Sequence, residues 1–370
     1  MKRQDISLVK EGITECFVFR KKSHSKGPGS KDSKPFYNPA MELNRDLSIV
    51  FVQWLINKSK KSLHLLDGLA ASGIRGIRIV NEVDGEFDIT INDWNEQAFS
   101  LIKKNIEFNK LKNVNVINKN LNELLSEKRF DYIDIDPFGS PAYFIDSAIR
   151  SVYNNGIIAC TATDTASLCG IYPDVCFRRY GAQPFHSYVM HEIGLRILLG
   201  FICREAAKYD KGIKPILSYS TDYYFRLYFK VKKGKRYANE SMKNFSSINL
   251  KKIISVENEN KVGPLWLGKL QDKDVVKEIR TLLFKKELNT KNLLWKLLSL
   301  LEEEANSPIF FHTSDNFAST LKTSPKKLEE IFEKFKKKGY VITRTHFSPT
   351  GFKTDASLEK IIKIFKERMV

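Results

Sequence analysis

From Leu63 to about Phe229 short apolar runs alternate with helix-length segments, and the first of these runs end on polar or acidic residues. Leu63-His64-Leu65-Leu66 ends at Asp67, Ile89-Thr90-Ile91 ends at Asn92-Asp93, and Val114-Asn115-Val116-Ile117 stops shortly before Asn120-Leu121. Parallel neighbours need a crossover of about a dozen residues or more, usually a helix, so this alternation predicts an α/β fold with a mostly parallel sheet covered on both faces. In such sheets ligands lie beyond the carboxyl ends of the strands. The polar residues at those ends are the first candidates for chemistry.

The stretch from Ser62 to Gly76 reads as a buried strand, a small-residue turn and a helix beginning near Gly73. Gly68, Ala70 and Ala71 in that turn let a ligand approach the backbone closely. The spacing of Gly68, Gly73 and Gly76 does not supply the Gly-x-Gly-x-x-Gly of a dinucleotide fold. NAD therefore loses ground to S-adenosylmethionine, which has no pyrophosphate to cradle and whose amino-acid end takes polar backbone and carboxylate partners. Asp93, about twenty residues past Gly73, stands where an acid grips ribose hydroxyls. Taken singly each feature is also an ordinary α/β turn; their order points to a methyl donor.

A fourth apolar run leads into Asp134-Ile135-Asp136-Pro137-Phe138-Gly139-Ser140-Pro141. An exocyclic base amine is a poor nucleophile because its lone pair is delocalised into the ring. Asp136 and the Pro137 carbonyl are placed to accept its hydrogens and localise that pair, with Phe138 stacking on the base. Asp-Pro-x-Gly also marks plain turns, and the element does not distinguish guanine N2 from adenine N6. Cys160, after Ile157-Ile158-Ala159, offers a rival chemistry, attack at cytosine C5. That reaction needs a thiolate, whereas attack by an amine does not.

Charge points to the partner. Lysine and arginine number 61 against 43 acids, a net charge of +18 that favours a polyanion, although a lysine-rich surface also occurs without nucleic acid. Basic stretches lie at Lys21 to Lys34 and Lys230 to Arg236, the second after the aromatic run Tyr223 to Phe229. No run of about 18 apolar residues exists to span a bilayer, and the first residues lack a signal-peptide core, so a soluble cytoplasmic protein is expected. Five cysteines form no Cys-x-x-Cys pair and read as reduced and buried. His186 and His191 lie five apart, a spacing that does not suit two ligands on one helix face. No metal is expected, and the oligomeric state is left open.

A helix from Ala40 to Ile56 is expected to deliver Asn44 and Arg45 toward the donor site. Gly263-Pro264-Leu265-Trp266 suggests a boundary, dividing the chain into a catalytic domain over residues 1–262 and a smaller α+β domain over 263–370. In the latter, helices are expected over Lys273 to Lys286, Asn289 to Ala305 and Ser324 to Phe335, the last with a Ser cap and Pro at its first position. A strand from Tyr340 to Phe347 follows, giving a helix-and-wing pattern.

With these strings in hand the chain resembles the tRNA guanine-26 N2-dimethyltransferases, the Trm1 family, over nearly its whole length. The resemblance rests on Phe36-Tyr37-Asn38-Pro39 with Met41, Asn44-Arg45-Asp46, Asp67 to Arg78, Asp136 to Pro141, Thr163-Asp164-Thr165-Ala166, Arg178-Arg179-Tyr180-Gly181, Gly263 to Trp266, and Arg344-Thr345-His346 with Lys353-Thr354-Asp355-Ala356. It implies a class I, Rossmann-like methyltransferase domain plus a family-specific C-terminal domain, S-adenosylmethionine as donor, and guanosine 26 of tRNA as acceptor. Carried over by position, it implies that Arg45, Asp67 and Arg75 bind the donor and Asp93 its ribose. Asn120 and Leu121 would meet the donor's adenine, and Phe36, Asp136, Pro137 and Phe138 would shape the guanine pocket. Asn120 stands where an acid is expected, and its carbonyl can still accept from an amine. The four-cysteine zinc site of many relatives has no counterpart between Lys232 and Lys261. Two rivals remain: an N6-adenine methyltransferase and a non-catalytic tRNA-binding chaperone on the same fold.

Overall fold

A computed structural model describes residues 6–19, 37–221, 223–252, 254 and 261–367. Phe36, the basic loop from Lys21 to Lys34 and part of the stretch without cysteines lie outside the described residues. The hairpin β1 (Ile6–Glu11) and β2 (Thr14–Phe19) turns through Gly12, whose positive φ suits a two-residue loop. A 3-10 turn at Pro39–Met41, capped by the Asn38 side chain, leads into α1 (Glu42–Lys58), close to the expected helix.

The alternation then follows as read. The elements are β3 (Leu63–Asp67), α2 (Ile74–Glu82), β4 (Phe87–Asn92), α3 (Glu96–Phe108), β5 (Val114–Ile117), α4 (Leu121–Glu127), β6 (Phe130–Ile135), α5 (Ala142–Ser151) and β7 (Val152–Ala162). After the short helices α6 (Thr165–Leu168) and α7 (Pro173–Tyr180) comes the buried helix α8 (Met190–Ala207), then β8 (Lys211–Ser220) and β9 (Phe225–Lys233). Seven strands form one sheet in the order β5-β4-β3-β6-β7-β9-β8. Neighbours from β5 through β7 are parallel, and β9 is antiparallel to both β7 and β8. This is the Rossmann-like methyltransferase class. The strand order reverses between β3 and β6, where Asp67 and Asp134 are register partners. That switch point is where an open α/β sheet binds its ligand.

One apolar core lies around α8 and the strands on one side of the sheet, and a second lies under α1 and α2. Gly76 shows why a small residue is needed in α2: a Cβ there would come within 2.7 Å of Ile91 on β4.

The C-terminal third departs from the expected division. After α9 (Lys235–Met242), β10 (Phe245–Asn249) pairs antiparallel with β11 (Lys261–Trp266), so a boundary between 262 and 263 falls inside a paired strand. Helices α10 (Lys273–Leu282) and α11 (Lys291–Glu304) then bury Val276, Ile279, Leu294, Leu298 and Leu301 in the core under α1. Their apolar faces cover the catalytic unit; amphipathicity alone does not say which partner a helix covers. A separate core begins only with β12 (His312–Thr313), α12 (Ser314–Leu321), α13 (Leu328–Lys337), β13 (Ile342–Arg344), β14 (Gly351–Thr354) and α14 (Leu358–Lys366). These form a small α+β module on a three-stranded sheet ordered β12-β14-β13. The expected Ser324 cap is replaced by a start at Leu328: Ser314 Oγ accepts from Lys326 N–H and donates to its carbonyl, and Lys327 is extended. Gly339, with φ of 80°, ends α13 as read. The expected strand from Tyr340 shortens to Ile342–Arg344.

Candidate active site

Every parallel strand that converges on the switch point contributes its final residues. Asp67 ends β3 and is buried; its Oδ2 accepts from Gly76 N–H at 3.0 Å. Burial, opposed by the Arg75 charge and assisted by Asp134, pushes its carboxyl up to about 7. Gly68 N–H donates to the Asp134 carbonyl and Asn92 Nδ2 donates to the Gly68 carbonyl, so the turn after β3 is tied to both neighbouring strands. Asp93, just past β4, accepts from Ala71 N–H at 2.8 Å through Oδ2 and from Asn95 N–H at 2.9 Å through Oδ1. Burial raises its carboxyl pKa while these two backbone bonds lower it. Each oxygen keeps a lone pair for a further donor.

Asp136 belongs to a largely buried cluster of two arginines and two aspartates. Asp134 accepts from Arg226 at 2.9 Å and 2.6 Å and from the Tyr132 hydroxyl at 2.7 Å. Burial would raise its pKa, but Arg226 and Arg75 outweigh that and hold it below the usual carboxylate range. Arg75 Nη1 donates to Asn44 Oδ1 at 2.8 Å and Ser48 Oγ at 2.6 Å, and its Nη2 donates to Asp136 Oδ2. Burial works against the Arg75 charge, yet the Asp134 and Asp136 carboxylates keep it protonated. Asp136 alone of the four reaches the surface, its side chain 19% exposed. Among the described residues no hydrogen bond is made to its other oxygen. Pro137 is buried, and Phe138 is 46% exposed. The loop is braced by Gly139 N–H donating to Thr163 Oγ1 at 2.7 Å and Thr163 N–H donating to the Gly139 carbonyl at 2.9 Å.

The structure thus brings Asp67, Arg75, Asp93, Asp136, Pro137 and Phe138 to one end of the sheet. Arg45 is engaged elsewhere. Its guanidinium pairs with Glu11 of the hairpin, donates to the Asn38 carbonyl at 3.1 Å and lies 4.9 Å from the Tyr37 ring. None of these partners belongs to the Asp136 cluster, so Arg45 anchors the segment that follows Phe36. Asn120 caps α4, its Oδ1 accepting from Asn122 N–H at 2.9 Å, which leaves one lone pair for an amine. Leu121 is buried beneath the Gly68 turn, within about 3 Å of where a Gly68 Cβ would stand.

Asp134, Ser48, Tyr132, Arg226 and Thr161, whose Oγ1 accepts from Arg226 Nη1 at 2.9 Å, had no role in the sequence expectations. The signal was present at Arg226, a lone arginine inside the apolar run Phe225 to Phe229, because a buried charge needs an acid on a neighbouring element. Cys160 is fully buried beside this cluster, and burial pushes its thiol well above the usual range, which removes it as a nucleophile. His186 and His191 both turn to Cys169, at its carbonyl and its sulfur. No group of three metal-ligating side chains occurs among the described residues, and no helix of the described residues is long and apolar enough to cross a membrane.

Comparison with known proteins decides the family. The profile of the N2,N2-dimethylguanosine tRNA methyltransferases matches residues 19–366. The chain belongs to this family. A tRNA (guanine(26)-N(2))-dimethyltransferase of Methanobrevibacter smithii is 39% identical across 99% of this chain and 98% of the relative. One from Pyrococcus furiosus is 41% identical across 91% and 93%. The solved Trm1 structure from Pyrococcus horikoshii, a complex with S-adenosyl-L-methionine, superposes with a TM-score of 0.85 at 36% identity, covering 97% of this chain and 99% of that one.

Proposed function

We propose that this protein methylates the exocyclic N2 of guanosine 26 in tRNA with S-adenosylmethionine as donor, giving N2-methyl- and N2,N2-dimethylguanosine. The observation that carries the reading is the single partly exposed carboxylate, Asp136, held in place by a buried arginine at the switch point of the sheet. The same strand ends fit the donor: Asp67 suits an ammonium group, Asp93 the ribose hydroxyls, and Asn120 with Leu121 the adenine end. When bound, S-adenosylmethionine supplies a methyl group on a sulfonium.

The chain's own residues make the amine reactive. Asp136 and the Pro137 carbonyl accept the two N2 hydrogens, which turns the lone pair out of conjugation and toward the donor. Arg75 donates to Asp136 Oδ2 and fixes it, so the acceptor position does not drift. Strong basicity is not needed. As the N–C bond forms, the S–C bond breaks with its electrons passing to sulfur, and N2 becomes a strong acid whose proton passes to Asp136 and then to solvent. Phe138 offers one stacking face for the flipped base. The other face is assigned to Phe36 by its place in the sequence, just before the residues Tyr37 and Asn38 that Glu11 and Arg45 hold.

Unmodified tRNA transcripts carrying guanosine or adenosine at position 26 test this. Mass spectrometry of nucleosides should show dimethylguanosine from the first and no methylated nucleoside from the second. Formation of N6-methyladenosine would replace guanine by adenine as the acceptor, and binding of the transcript without methylation would favour the chaperone.

A further inference from the structure

Flipping a base leaves its two neighbours unstacked, and an enzyme that holds them stacked stabilises the opened strand. Next to the catalytic loop lies a surface with the chemistry for that task. Helix α7 lies flat on the protein, with only Cys176 and Tyr180 buried. Its other sides leave Phe177 61% exposed, with Tyr172 at 58% just before the helix. Tyr143, at the start of α5, is 66% exposed. Arg178 is exposed as well, and Arg179, partly exposed, completes the patch.

This patch is fixed to the catalytic loop by polar contacts. The Tyr180 hydroxyl meets Ser140 Oγ at 2.6 Å and both oxygens of Asp164 at 2.9 Å, and Arg179 Nη1 donates to Asp164 at 3.0 Å. Ser140 is four residues from Asp136, and Thr163, beside Asp164, exchanges hydrogen bonds with Gly139. Large aromatic rings that filled a core would not stand more than half exposed. The cations supply complementarity to a phosphate backbone, Asp174 being the one carboxylate on this helix.

We infer that Tyr172, Phe177 and Tyr143, with Arg178, form a stacking platform for the nucleotides that flank the target guanosine in the RNA strand. The inference rests on the proposed tRNA methylation and adds where the strand lies: it runs from the Asp136 pocket onto α7. Aromatic faces accept any base, so the platform contributes to holding the opened strand and not to choosing the target.

The test is a Tyr172→Ala/Phe177→Ala double variant beside a Tyr172→Phe/Phe177→Tyr pair that keeps the rings. With the full chain and a tRNA transcript, the alanine pair should lower kcat/KM for tRNA by about tenfold or more. S-adenosylmethionine affinity and thermal stability should stay within error of wild type, and the ring-keeping pair should be near wild type. 2-Aminopurine placed beside the target guanosine should brighten with the alanine pair relative to wild type, because it loses its stacking partner. Wild-type turnover with unchanged kcat/KM in the alanine pair overturns the platform while leaving the methylation reading intact. Failure of the wild type itself to methylate any guanosine overturns both.

Discussion

Two buried charge networks differ in one respect that separates chemistry from architecture. The first joins Arg75 and Arg226 to Asp134 and Asp136 at the sheet's switch point. The second joins Glu192 of α8 and Glu304 of α11 to Arg196, Lys353 and His346, where the C-terminal module meets the catalytic unit. Lys353 Nζ stands 3.1 Å from Glu192 and 3.5 Å from Glu304, and Ser220 N–H donates to His346 Nε2 at 3.2 Å. That last bond uses Nε2 as an acceptor, and the other ring nitrogen, Nδ1, meets Glu304. Each network balances two cations against two carboxylates. The junction is closed on every side, whereas the switch-point network opens at Asp136. A closed network can only hold elements together; an open one presents an acceptor whose position the rest has fixed.

The largest expected effect comes from breaking the closed network. Lys353→Met leaves two buried carboxylates short of a partner and should destabilise the fold by about 3–5 kcal/mol. Urea unfolding would read this, while kcat of the remaining folded enzyme should stay near wild type. A loss under about 1 kcal/mol, the scale of an exposed pair, would mean that the junction charges are far less committed than their burial implies.

The open network should respond the other way. Asp136→Ala is expected to lower the single-turnover methylation rate by about 100-fold, close to 3 kcal/mol of barrier, with tRNA and donor binding retained and the urea midpoint little changed. Arg75 keeps Asn44, Ser48 and Asp134 as neighbours in that variant, so no buried charge is stranded. Near-normal rates would take Asp136 out of the chemistry and erase the contrast with Lys353.

How much of this was legible beforehand follows from the same difference. Short apolar runs marked the strands, so Val114–Ile117 could be placed to the residue even though it is a partly exposed edge strand, and Asp67 stood out against the apolar run that it closes. Asp136 was visible because it sits in a turn with Pro137 and Gly139. Arg226 carried a signal as a lone arginine in an apolar run, but its pairing with Asp134 was not legible, since the two meet only when β6 and β9 flank β7. The division of the chain failed for a related reason: the outward and inward faces of α10 and α11 are clear from their periodicity, but the surface they cover is a tertiary fact. The resemblance places Arg45 at the donor, and the Glu11 with which it pairs could not be foreseen, because it comes from a hairpin more than thirty residues away in sequence.

The smallest effect concerns donor binding at the open end. Asp67 is buried with its carboxyl raised from 3.8 to about 7, chiefly by desolvation. A raised acid contributes stability that is fully present below its unfolded value near 4 and is lost as pH rises through about 7, because the ionised form is then buried with no counter-ion in contact, the Arg75 charge offsetting only part of the cost. A donor ammonium at Asp67 supplies that counter-ion and favours the ionised form. Binding should therefore release a proton below pH 7, and S-adenosylmethionine affinity should rise by up to about tenfold, one pKa unit's worth of linkage, between pH 6 and 7. Calorimetry in two buffers of different ionisation enthalpy would count the proton. Asp67→Asn should flatten the profile without touching the Asp136 chemistry, because the amide keeps the Gly76 N–H bond through its carbonyl oxygen and removes only the titration. A wild-type affinity that does not change over this range would move the ammonium away from Asp67, and would leave Asp136 as the one carboxylate at the switch point with a part in the reaction.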